Sequence, residues 1–219
     1  MAEKTKVLLV DDHPLVQEWL ANLINQQADL EVCGEASNAS TALELVGTAK
    51  PAIAVVDISM EGGSGIELIK NIKALHPGVI VIVLSMHDEM LYAERALRAG
   101  ARAYIMKREA TRKVLLAIRA VLEGKLYVSD KVNAAMAEKF VEGRSAVTDS
   151  PVERLSDREL EVFQLLGRGL STRQISEDLN VSFKTVQAYC ARIKEKLNLT
   201  NATELLREAI RWHDAQKAE

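Results

Sequence analysis

The sequence predicts two domains of different class, an α/β domain built on a five-stranded parallel sheet and an all-α domain after it. Three observations lead to this prediction. Short apolar runs alternate with helical periodicity five times over residues 5–123. Beyond about residue 150 the apolar runs stop and only helical periodicity continues. A chain of 219 residues is also long enough for two ordinary domains.

The first domain is predicted to repeat a strand followed by a helix five times. Strands are predicted at 6–10, 30–36, 52–56, 79–84 and 102–105, and helices at 14–28, 39–49, 64–75, 88–98 and 110–122. The continuous apolar run Ala52–Val56 is typical of a strand buried on both faces. Right-handed crossovers leave few ways to wind such a sheet, and we expect the flavodoxin-like order 2-1-3-4-5. The first helix is predicted to pack Leu15, Trp19 and Leu23, with Val16 and Leu20 as further candidates.

Polar side chains follow four of these strands. Asp11 and Asp12 follow the first, Asp57 the third, Ser85 the fourth, and Lys107 the fifth. The ends of parallel strands meet at one edge of a sheet, where α/β proteins place their sites. Each residue alone has an ordinary explanation, such as a helix cap, a turn residue or a surface charge. The four positions together are hard to obtain by chance.

Three carboxylates in one cleft repel each other unless a cation neutralises them. Oxygen ligands in a small site suit Mg²⁺. A lysine and a hydroxyl beside the metal would hold a tetrahedral anion. The strand ends therefore predict a site for a phosphoryl group next to Mg²⁺, with a carboxylate available as nucleophile.

Composition is that of a globular protein, with 48% hydrophobic and 27% charged residues and a net charge of −3. The two cysteines, Cys33 and Cys190, lie in apolar segments. We expect two buried thiols, although a disulfide between them is an alternative. The sequence has no signal-peptide pattern and no run of 18 apolar residues, so an intracellular, soluble protein without membrane contact is expected.

A connecting region is predicted over residues 126–153, between domains at 1–125 and 154–219. It contains a short helix, Val128–Val141, with Ser129 as its cap. The apolar stripe of that helix is predicted to consist of Val132, Ala135, Met136 and Phe140. Turn and linker residues follow it, namely Gly143, Ser145, Thr148, Asp149, Ser150 and Pro151.

The last domain is predicted to contain a helix-turn-helix. Ser156 and Glu159 form a capping-box pattern for a helix that ends near Gly167, with Gly169 after it. Ser171 caps a short second helix over 172–179, and Ser182 caps a third that runs to about Leu197. A short helix, a tight turn and a longer helix are typical of this DNA-binding motif.

The third helix has two distinct faces. Val186, Cys190, Ile193 and Leu197 recur at helical spacing and are predicted to face the core. Residues suited to DNA face outward: Gln187 for an adenine edge, Lys184, Thr185 and Arg192 for phosphates, and the small Ala188 and Ala191 for close approach. Arg173 on the preceding helix is a further candidate. An ordinary solvated helix face is the alternative explanation.

Residues 1–125 resemble the receiver domain of two-component response regulators. The resemblance lies in Val-Asp-Asp-His-Pro (10–14), Val-Val-Asp-Ile-Ser-Met (55–60), Leu-Ser-Met-His-Asp (84–88) and Gly-Ala-Arg-Ala-Tyr-Ile-Met-Lys (100–107). It implies that Asp57 accepts a phosphoryl group from a sensor histidine kinase. It also implies that Asp12, Asp57 and the Ser59 carbonyl hold Mg²⁺, with Asp11 assisting through water. Ser85, Lys107 and Tyr104 are then the residues that contact or respond to the phosphoryl group.

One departure from the family lies in the loop after Asp57. Glu61 stands where a proline is usual, and Gly62, Gly63 and Gly65 predict a mobile loop. An alternative function is a Mg²⁺-dependent phosphatase with an aspartate nucleophile. Such enzymes usually carry an acid/base aspartate two residues after the nucleophile, where this chain has Ser59. A phosphorylation-independent DNA binder with a vestigial receiver is a third interpretation, against which the intact acids, Ser85 and Lys107 weigh.

Residues 155–210 resemble the LuxR-type helix-turn-helix, through Leu-Ser-Asp-Arg-Glu (155–159), Gly-Leu-Ser-Thr-Arg-Gln-Ile-Ser (169–176) and Val-Ser-Phe-Lys-Thr-Val-Gln-Ala-Tyr (181–189). With a receiver, this is the arrangement of the NarL/FixJ class of transcription regulators. Gln187, Tyr189 and Ala191 depart from common family residues, so operator preferences do not carry over.

The fourth helix of the last domain, 201–212, is predicted to expose apolar residues, namely Ala202, Leu205, Leu206, Ala209 and Ile210. The resemblance implies that this helix forms a dimer on DNA. The sequence thus predicts a cytoplasmic regulator that is not an enzyme beyond its own phosphorylation and dephosphorylation. Its expected partners are a sensor histidine kinase, promoter DNA and a second copy of the chain, and RNA polymerase is a further candidate.

Overall fold

The structure is a computed structural model that describes residues 4–60, 64–141 and 151–217. The predictions for Glu61, Gly62 and Gly63, and for the linker residues 142–150, fall outside the described residues. The described chain forms two compact units, one ending at Val141 and one beginning at Pro151. Among the helices described, none is long and apolar enough to cross a membrane.

The first unit is a parallel sheet with strand order β2-β1-β3-β4-β5, as predicted. Its elements are β1 (Thr5–Val10), α1 (Pro14–Asn25), β2 (Leu30–Ala36), α2 (Ala39–Ala49), β3 (Ile53–Asp57), α3 (Gly65–Leu75), β4 (Ile80–Ser85), α4 (Glu89–Ala99), β5 (Ala101–Met106), α5 (Ala110–Leu122) and α6 (Asp130–Val141). All five residues of β3 are buried, which explains its unbroken apolar run up to Asp57.

Helix α1 packs the residues predicted for its apolar face against the core, with the exception of Leu15. Leu20 and Ile24 are its buried residues, whereas Leu15 is 80% exposed. At 100° per residue Leu15 points about 140° away from Leu20 and about 180° away from Ile24. Trp19 and Leu23 lie at the border of the core. The prediction was therefore wrong for Leu15, whereas the further candidates Val16 and Leu20 also lie in or against the core.

The chain beyond α5 returns to the free edge of the sheet. The N–H of Tyr104 donates to the carbonyl of Tyr127, and the N–H of Tyr127 donates to the carbonyl of Arg102, both at 3.0 Å. Together they form an isolated parallel bridge on β5. This bridge satisfies backbone groups that an edge strand would otherwise leave to solvent.

Helix α6 follows this bridge. The hydroxyl of Ser129 accepts a hydrogen bond from the N–H of Val132, so Ser129 caps α6 as predicted. Val132 is buried and Ala135 and Met136 are half-buried, but Phe140 is 88% exposed. The predicted stripe therefore ends one turn early, where Lys139 instead forms an ion pair with Glu94 of α4, at 2.7 Å.

The second unit consists of α7 (Asp157–Gly167), α8 (Thr172–Asp178), α9 (Phe183–Lys196) and α10 (Ala202–Lys217). Ser156 and Ser171 each form a complete capping box, with Glu159 and Gln174 respectively. Ser182 caps α9 through the N–H of Thr185. Gly169 has a φ of +86°, the left-handed conformation expected of a glycine after a helix.

Two residues predicted to be exposed on α10 are buried instead. Leu205 and Ala209 are 3% and 0% exposed. They face α7, which approaches closely because Gly167 has no side chain: a Cβ there would lie 2.6 Å from the Ala209 carbonyl oxygen. Only Ala202, Leu206 and Ile210 of the predicted set are exposed. The short domain needs more of α10 for its own core than the sequence pattern indicates.

The two cysteines are free and half-buried rather than buried. Cys33 lies on the edge strand β2 and Cys190 on α9. Partial burial raises the pKa of both thiols above the ordinary value, so both stay protonated near neutral pH.

Candidate functional site

The polar residues at the strand ends meet at one edge of the sheet. Asp11 and Asp12 directly follow β1, Asp57 is the last residue of β3, Ser85 ends β4, and Lys107 directly follows β5. The register places Asp57 beside Leu84 and Ser85 beside Met106, so β3, β4 and β5 end at the same level. The parallel topology therefore places all five residues at the carboxyl edge of the sheet.

Lys107 joins two of the carboxylates. Its Nζ lies 2.7 Å from Oδ2 of Asp11 and 2.7 Å from Oδ2 of Asp57. Asp11 and Asp57 are 2% and 1% exposed, so neither carboxylate has bulk water as an alternative. A buried charge requires such pairing to be tolerated. The lysine that the sequence separates from Asp57 by fifty positions is thus in direct contact with it.

The titration of these groups reflects the competition between burial and pairing. Burial raises the pKa of Asp57 above its ordinary value of 3.8, although the Lys107 ammonium and the Ser59 N–H both favour the ionised form. Burial alone would lower the pKa of Lys107, but the hydrogen bonds that its ammonium donates to the carboxylates of Asp11 and Asp57 outweigh that effect, so the pKa of Lys107 is raised. Lys107 therefore remains a cation wherever the carboxylates are ionised.

Ser59 orients the Asp57 carboxylate. Its N–H donates to Asp57 Oδ1 at 2.8 Å, while the lysine occupies Oδ2. Each oxygen of Asp57 therefore has its own donor. Gly65, at the start of α3, supports the same region, since a Cβ there would lie 2.8 Å from the Asp57 carbonyl oxygen. Gly65 is thus required by close packing, whereas the sequence had suggested only loop mobility.

Ser85 and Tyr104 are linked through His87, the second residue after β4. Ser85 is fully buried, and its Oγ accepts from the N–H of His87 at 2.9 Å. Tyr104 is 2% exposed, and its hydroxyl donates to the His87 carbonyl at 3.0 Å. Burial raises the pKa of Tyr104, so the phenol keeps its proton. The His87 ring stacks on Tyr92 of α4 with centroids 4.7 Å apart.

The acidic cluster has the donors of a metal site. Ligand atoms of Asp11, Asp12, His13 and Asp57 lie within 4.8 Å of one another. Three carboxylates against one lysine leave excess negative charge, and carboxylate oxygens are the ligands that Mg²⁺ prefers. The residues therefore fit a divalent cation. Sequence reasoning missed His13, although its place directly after the acidic pair was visible in the sequence.

The second unit presents the predicted DNA-binding residues on α8 and α9. Val186 and Ile193 are buried in the domain core, while Cys190 and Leu197 are half-buried. The outward residues of the predicted set are exposed, namely Arg173, Lys184, Gln187, Ala188, Ala191 and Arg192. Thr185 is half-buried, with its hydroxyl 2.7 Å from that of Ser182. The two predicted faces of α9 are therefore confirmed at their centres, whereas Thr185, Cys190 and Leu197 lie at the border between them.

A contact not expected from the sequence anchors the end of α9. Lys196 Nζ lies 2.6 Å from Oε2 of Glu159 and 3.2 Å from the carbonyl of Arg154. Glu159 is 3% exposed and also accepts from the N–H of Ser156 in the capping box. The acid that caps α7 therefore also fixes α9.

Both units match known protein families. Residues 7–119 match the response regulator receiver domain. Residues 153–209 match the bacterial regulatory proteins of the luxR family. Together the matches define the class of protein as a phosphorylation-controlled regulator of transcription that binds DNA. Within that class, the chain belongs to the NarL/FixJ family of response regulators.

Relatives of similar length share this organisation. The chain is 34% identical to the oxygen regulatory protein NreC of Staphylococcus haemolyticus over 94% of this chain and 97% of that protein. Identity to NreC of Staphylococcus aureus is 35% over the same shares. The RcsB response regulator of Salmonella typhimurium has a similar structure, with a TM-score of 0.72 and 25% identity over 96% of this chain and 98% of RcsB.

A second structure is RcsB from Salmonella enterica serovar Typhimurium bound to promoter rprA in the presence of the phosphomimetic BeF3−. It matches with a TM-score of 0.67 and 25% identity, over 94% of this chain and 98% of that one.

Proposed function

We propose that Asp57 is the phosphoacceptor of this regulator. The observation that carries the proposal is the position of Asp57, buried at the end of β3 with Lys107 Nζ 2.7 Å from its Oδ2. A carboxylate oxygen of Asp57 attacks the phosphorus of a phosphohistidine on a sensor kinase. The P–N bond breaks, its electron pair stays on the imidazole, and an acyl phosphate forms on Asp57.

Asp11, Asp12, Asp57 and the Ser59 carbonyl are the proposed ligands of Mg²⁺. When bound, the cation offsets the negative charge of the carboxylates and of the phosphoryl oxygens. Lys107 supplies a second positive charge to the same oxygens. Phosphorylation adds about 1.5–2 negative charges at this edge of the sheet. The Ser85 hydroxyl then leaves the His87 N–H to bond the phosphoryl group, and Tyr104 changes its position with it.

The proposed output is sequence-specific binding of promoter DNA through α8 and α9. We assign the reading of base edges to Gln187, and phosphate contacts to Lys184, Thr185, Arg192 and Arg173. Ala188 and Ala191 allow close approach to the groove. The exposure of this face, opposite the buried Val186 and Ile193, supports the assignment.

We assign dimerisation on DNA to the exposed part of α10, Ala202, Leu206 and Ile210, and not to the buried Leu205 and Ala209. Dimers of RcsB bound to DNA have been described. A two-fold dimer would read half-sites about one helical turn apart.

The remaining assignments follow from this function. The receiver comprises 1–125, the linker 126–153 and the DNA-binding domain 154–219. The chain acts in the cytoplasm with a sensor histidine kinase and RNA polymerase as partners, and its only chemistry is its own phosphorylation and dephosphorylation.

The experiment that tests this function compares the full-length chain with its Asp57→Asn variant. Asp130→Asn, a change at an exposed carboxylate on α6, is the matched control. Acetyl phosphate and Mg²⁺ should add one phosphoryl group, detected by mass spectrometry, to the wild type and to the control but not to Asp57→Asn. Each protein is then used to capture sheared genomic DNA, which is sequenced. Phosphorylation should increase the enrichment of the same sites with the wild type and with Asp130→Asn, but not with Asp57→Asn. Labelling of Asp57→Asn would refute the proposal.

A further inference from the structure

An imidazole lies against the acidic cluster. His13 Nδ1 is 2.7 Å from Oδ1 of Asp12 and 3.1 Å from Oδ1 of Asp11. These are two of the three acids that the proposed function assigns to a metal. Nitrogen ligands are not needed for Mg²⁺, so the position of this ring calls for an explanation.

The two separations from His13 Nδ1 suit adjacent ligands of one octahedral cation. With metal–ligand bonds of about 2.1 Å, adjacent ligand atoms are about 3.0 Å apart. The two distances from His13 Nδ1 fall on either side of this value. The two Oδ2 atoms that bind Lys107 belong to Asp11 and Asp57, so the lysine and the imidazole contact different oxygens of Asp11.

The backbone fixes the position of the ring. The N–H of His13 donates to Asp11 Oδ1 at 2.9 Å, which closes a turn between β1 and α1. Pro14 then begins α1 with the restricted φ of a proline. The side chain of His13 is 65% exposed, so it lies where the cluster opens to solvent. A cation arriving from solvent would meet the ring and the acids together.

We propose that His13 Nδ1 is a metal ligand and that the site therefore binds first-row transition cations more tightly than Mg²⁺. Imidazole nitrogen is a favourable ligand for these ions, whereas Mg²⁺ prefers oxygen. Three carboxylates and one lysine give a net charge near −2, which suits any dication, so the imidazole is what distinguishes among them. The inference rests on the metal site of the proposed function and makes His13 its specificity-determining residue.

The test measures metal binding by the full-length protein. Calorimetric titrations with Co²⁺ and with Mg²⁺ compare the wild type with His13→Ala, and with His76→Ala at the end of α3 as control. His13→Ala should weaken Co²⁺ binding about tenfold or more, and Mg²⁺ binding by no more than about twofold. Pulsed electron paramagnetic resonance of bound Mn²⁺ should show a directly coordinated nitrogen in the wild type and in His76→Ala, and none in His13→Ala. Absence of that nitrogen signal in the wild type, or equal losses for Co²⁺ and Mg²⁺, would overturn the proposal.

A second variant separates ligation from hydrogen bonding. The amide of His13→Asn can still donate to the carboxylates, but it offers a metal only an oxygen and no nitrogen lone pair. His13→Asn should therefore lose the preference for Co²⁺ over Mg²⁺ as His13→Ala does, and a preference equal to that of the wild type would contradict the role of the imidazole as a ligand. Labelling by acetyl phosphate with Mg²⁺ reports on the proposed function separately. A wild type that binds Co²⁺ through His13 but is never labelled would refute the phosphoacceptor and leave the metal assignment standing.

Discussion

The backbone N–H of Tyr104 is hydrogen-bonded to the carbonyl of Tyr127 at 3.0 Å. The buried tyrosine beside the proposed phosphorylation site is therefore attached directly to the segment through which the chain leaves the receiver. The following helix, α6, is held on α4 by the ion pair between Lys139 and Glu94. Both β5 and α4, which lie next to the site, thus have contacts to the connecting segment.

Breaking the contact between α4 and α6 should loosen α6 without unfolding the receiver. Lys139 and Arg98 outweigh partial burial and hold the pKa of Glu94 below its ordinary value, so its charge is present at neutral pH. That contribution is lost as the pH falls through the lowered pKa. Glu94→Gln should lower the free energy of unfolding by no more than about 1 kcal/mol, since the pair is partly exposed. Hydrogen exchange by mass spectrometry should become faster over 130–141.

Lys131→Ala provides the control, because Lys131 is an exposed residue of the same helix. It should leave exchange in α6 close to that of the wild type. Unchanged exchange in Glu94→Gln at neutral pH would show that the ion pair does not hold α6.

Asp57→Asn should stabilise the receiver at neutral pH. The folded-state pKa of Asp57 is raised above 3.8, so the folded protein binds the proton more tightly than the unfolded chain does. Stability from this group is therefore present in acid and is lost as the pH rises from the ordinary pKa through the raised one. An asparagine side chain has no charge to bury, so we expect Asp57→Asn to have a larger free energy of unfolding than the wild type at pH 7. Urea unfolding in EDTA at several pH values measures it. A gain that did not shrink toward acid pH would indicate another cause.

Lys184→Ala and Gln187→Ala should have different effects on DNA binding. Lys184→Ala removes a phosphate contact, so it should weaken binding to all DNA sequences. The slope of the logarithm of the binding constant against the logarithm of the salt concentration should fall by about one. Gln187→Ala removes an amide that reads a base edge, so it should cost about 1–3 kcal/mol of binding free energy on the preferred site and little on other sequences. Fluorescence anisotropy on specific and scrambled duplexes, at several salt concentrations, distinguishes the two. Equal losses on both duplexes for Gln187→Ala would argue against base readout.

Leu206→Glu should prevent dimerisation on DNA while leaving the domain folded. Leu206 is 40% exposed, so a charge there has access to water in the monomer but not in a dimer interface. Sedimentation of the protein with a two-half-site duplex should change from two copies bound to one. Leu75→Glu, at an exposed position on α3, is the control.

Gly167→Ala should destabilise the DNA-binding domain. A methyl group there would lie 2.6 Å from the Ala209 carbonyl oxygen, which is backbone and does not yield easily. We expect a loss of about 1–3 kcal/mol from this overpacking. The fluorescence of Trp212 in α10 reports unfolding of this unit once Trp19 is replaced by phenylalanine. Gly78→Ala, with nothing within 4 Å of the added methyl, should be neutral.

The sheet and the strand-end site were predictable because a series of apolar strands followed by polar residues is one of the least ambiguous sequence patterns. Asp57 and Lys107 could be placed at one edge from topology alone. The contact of one lysine with two carboxylates could not, because it depends on side-chain paths. The pairing of Tyr127 with β5 was also missed, since a single bridge leaves no periodic signal.

Helix faces were harder to predict where two apolar stripes compete. In α1, Leu15 and Leu20 are equally apolar, and only the sheet decides which is buried. In α10, the burial of Leu205 and Ala209 depends on how closely α7 approaches at Gly167. Such choices depend on tertiary contacts and are not present in any local stretch of sequence.

The ion pair between Lys196 and Glu159 fixes the orientation of α9 relative to α7. Because α9 keeps a fixed orientation in the domain, phosphorylation of the receiver would change how often α9 binds a promoter. It would not change which sequence α9 recognises. Altered preferences in related chains should accordingly trace to substitutions on the outward side of α9. A change in the tilt of α9 would first require breaking this ion pair, in which Glu159 is buried.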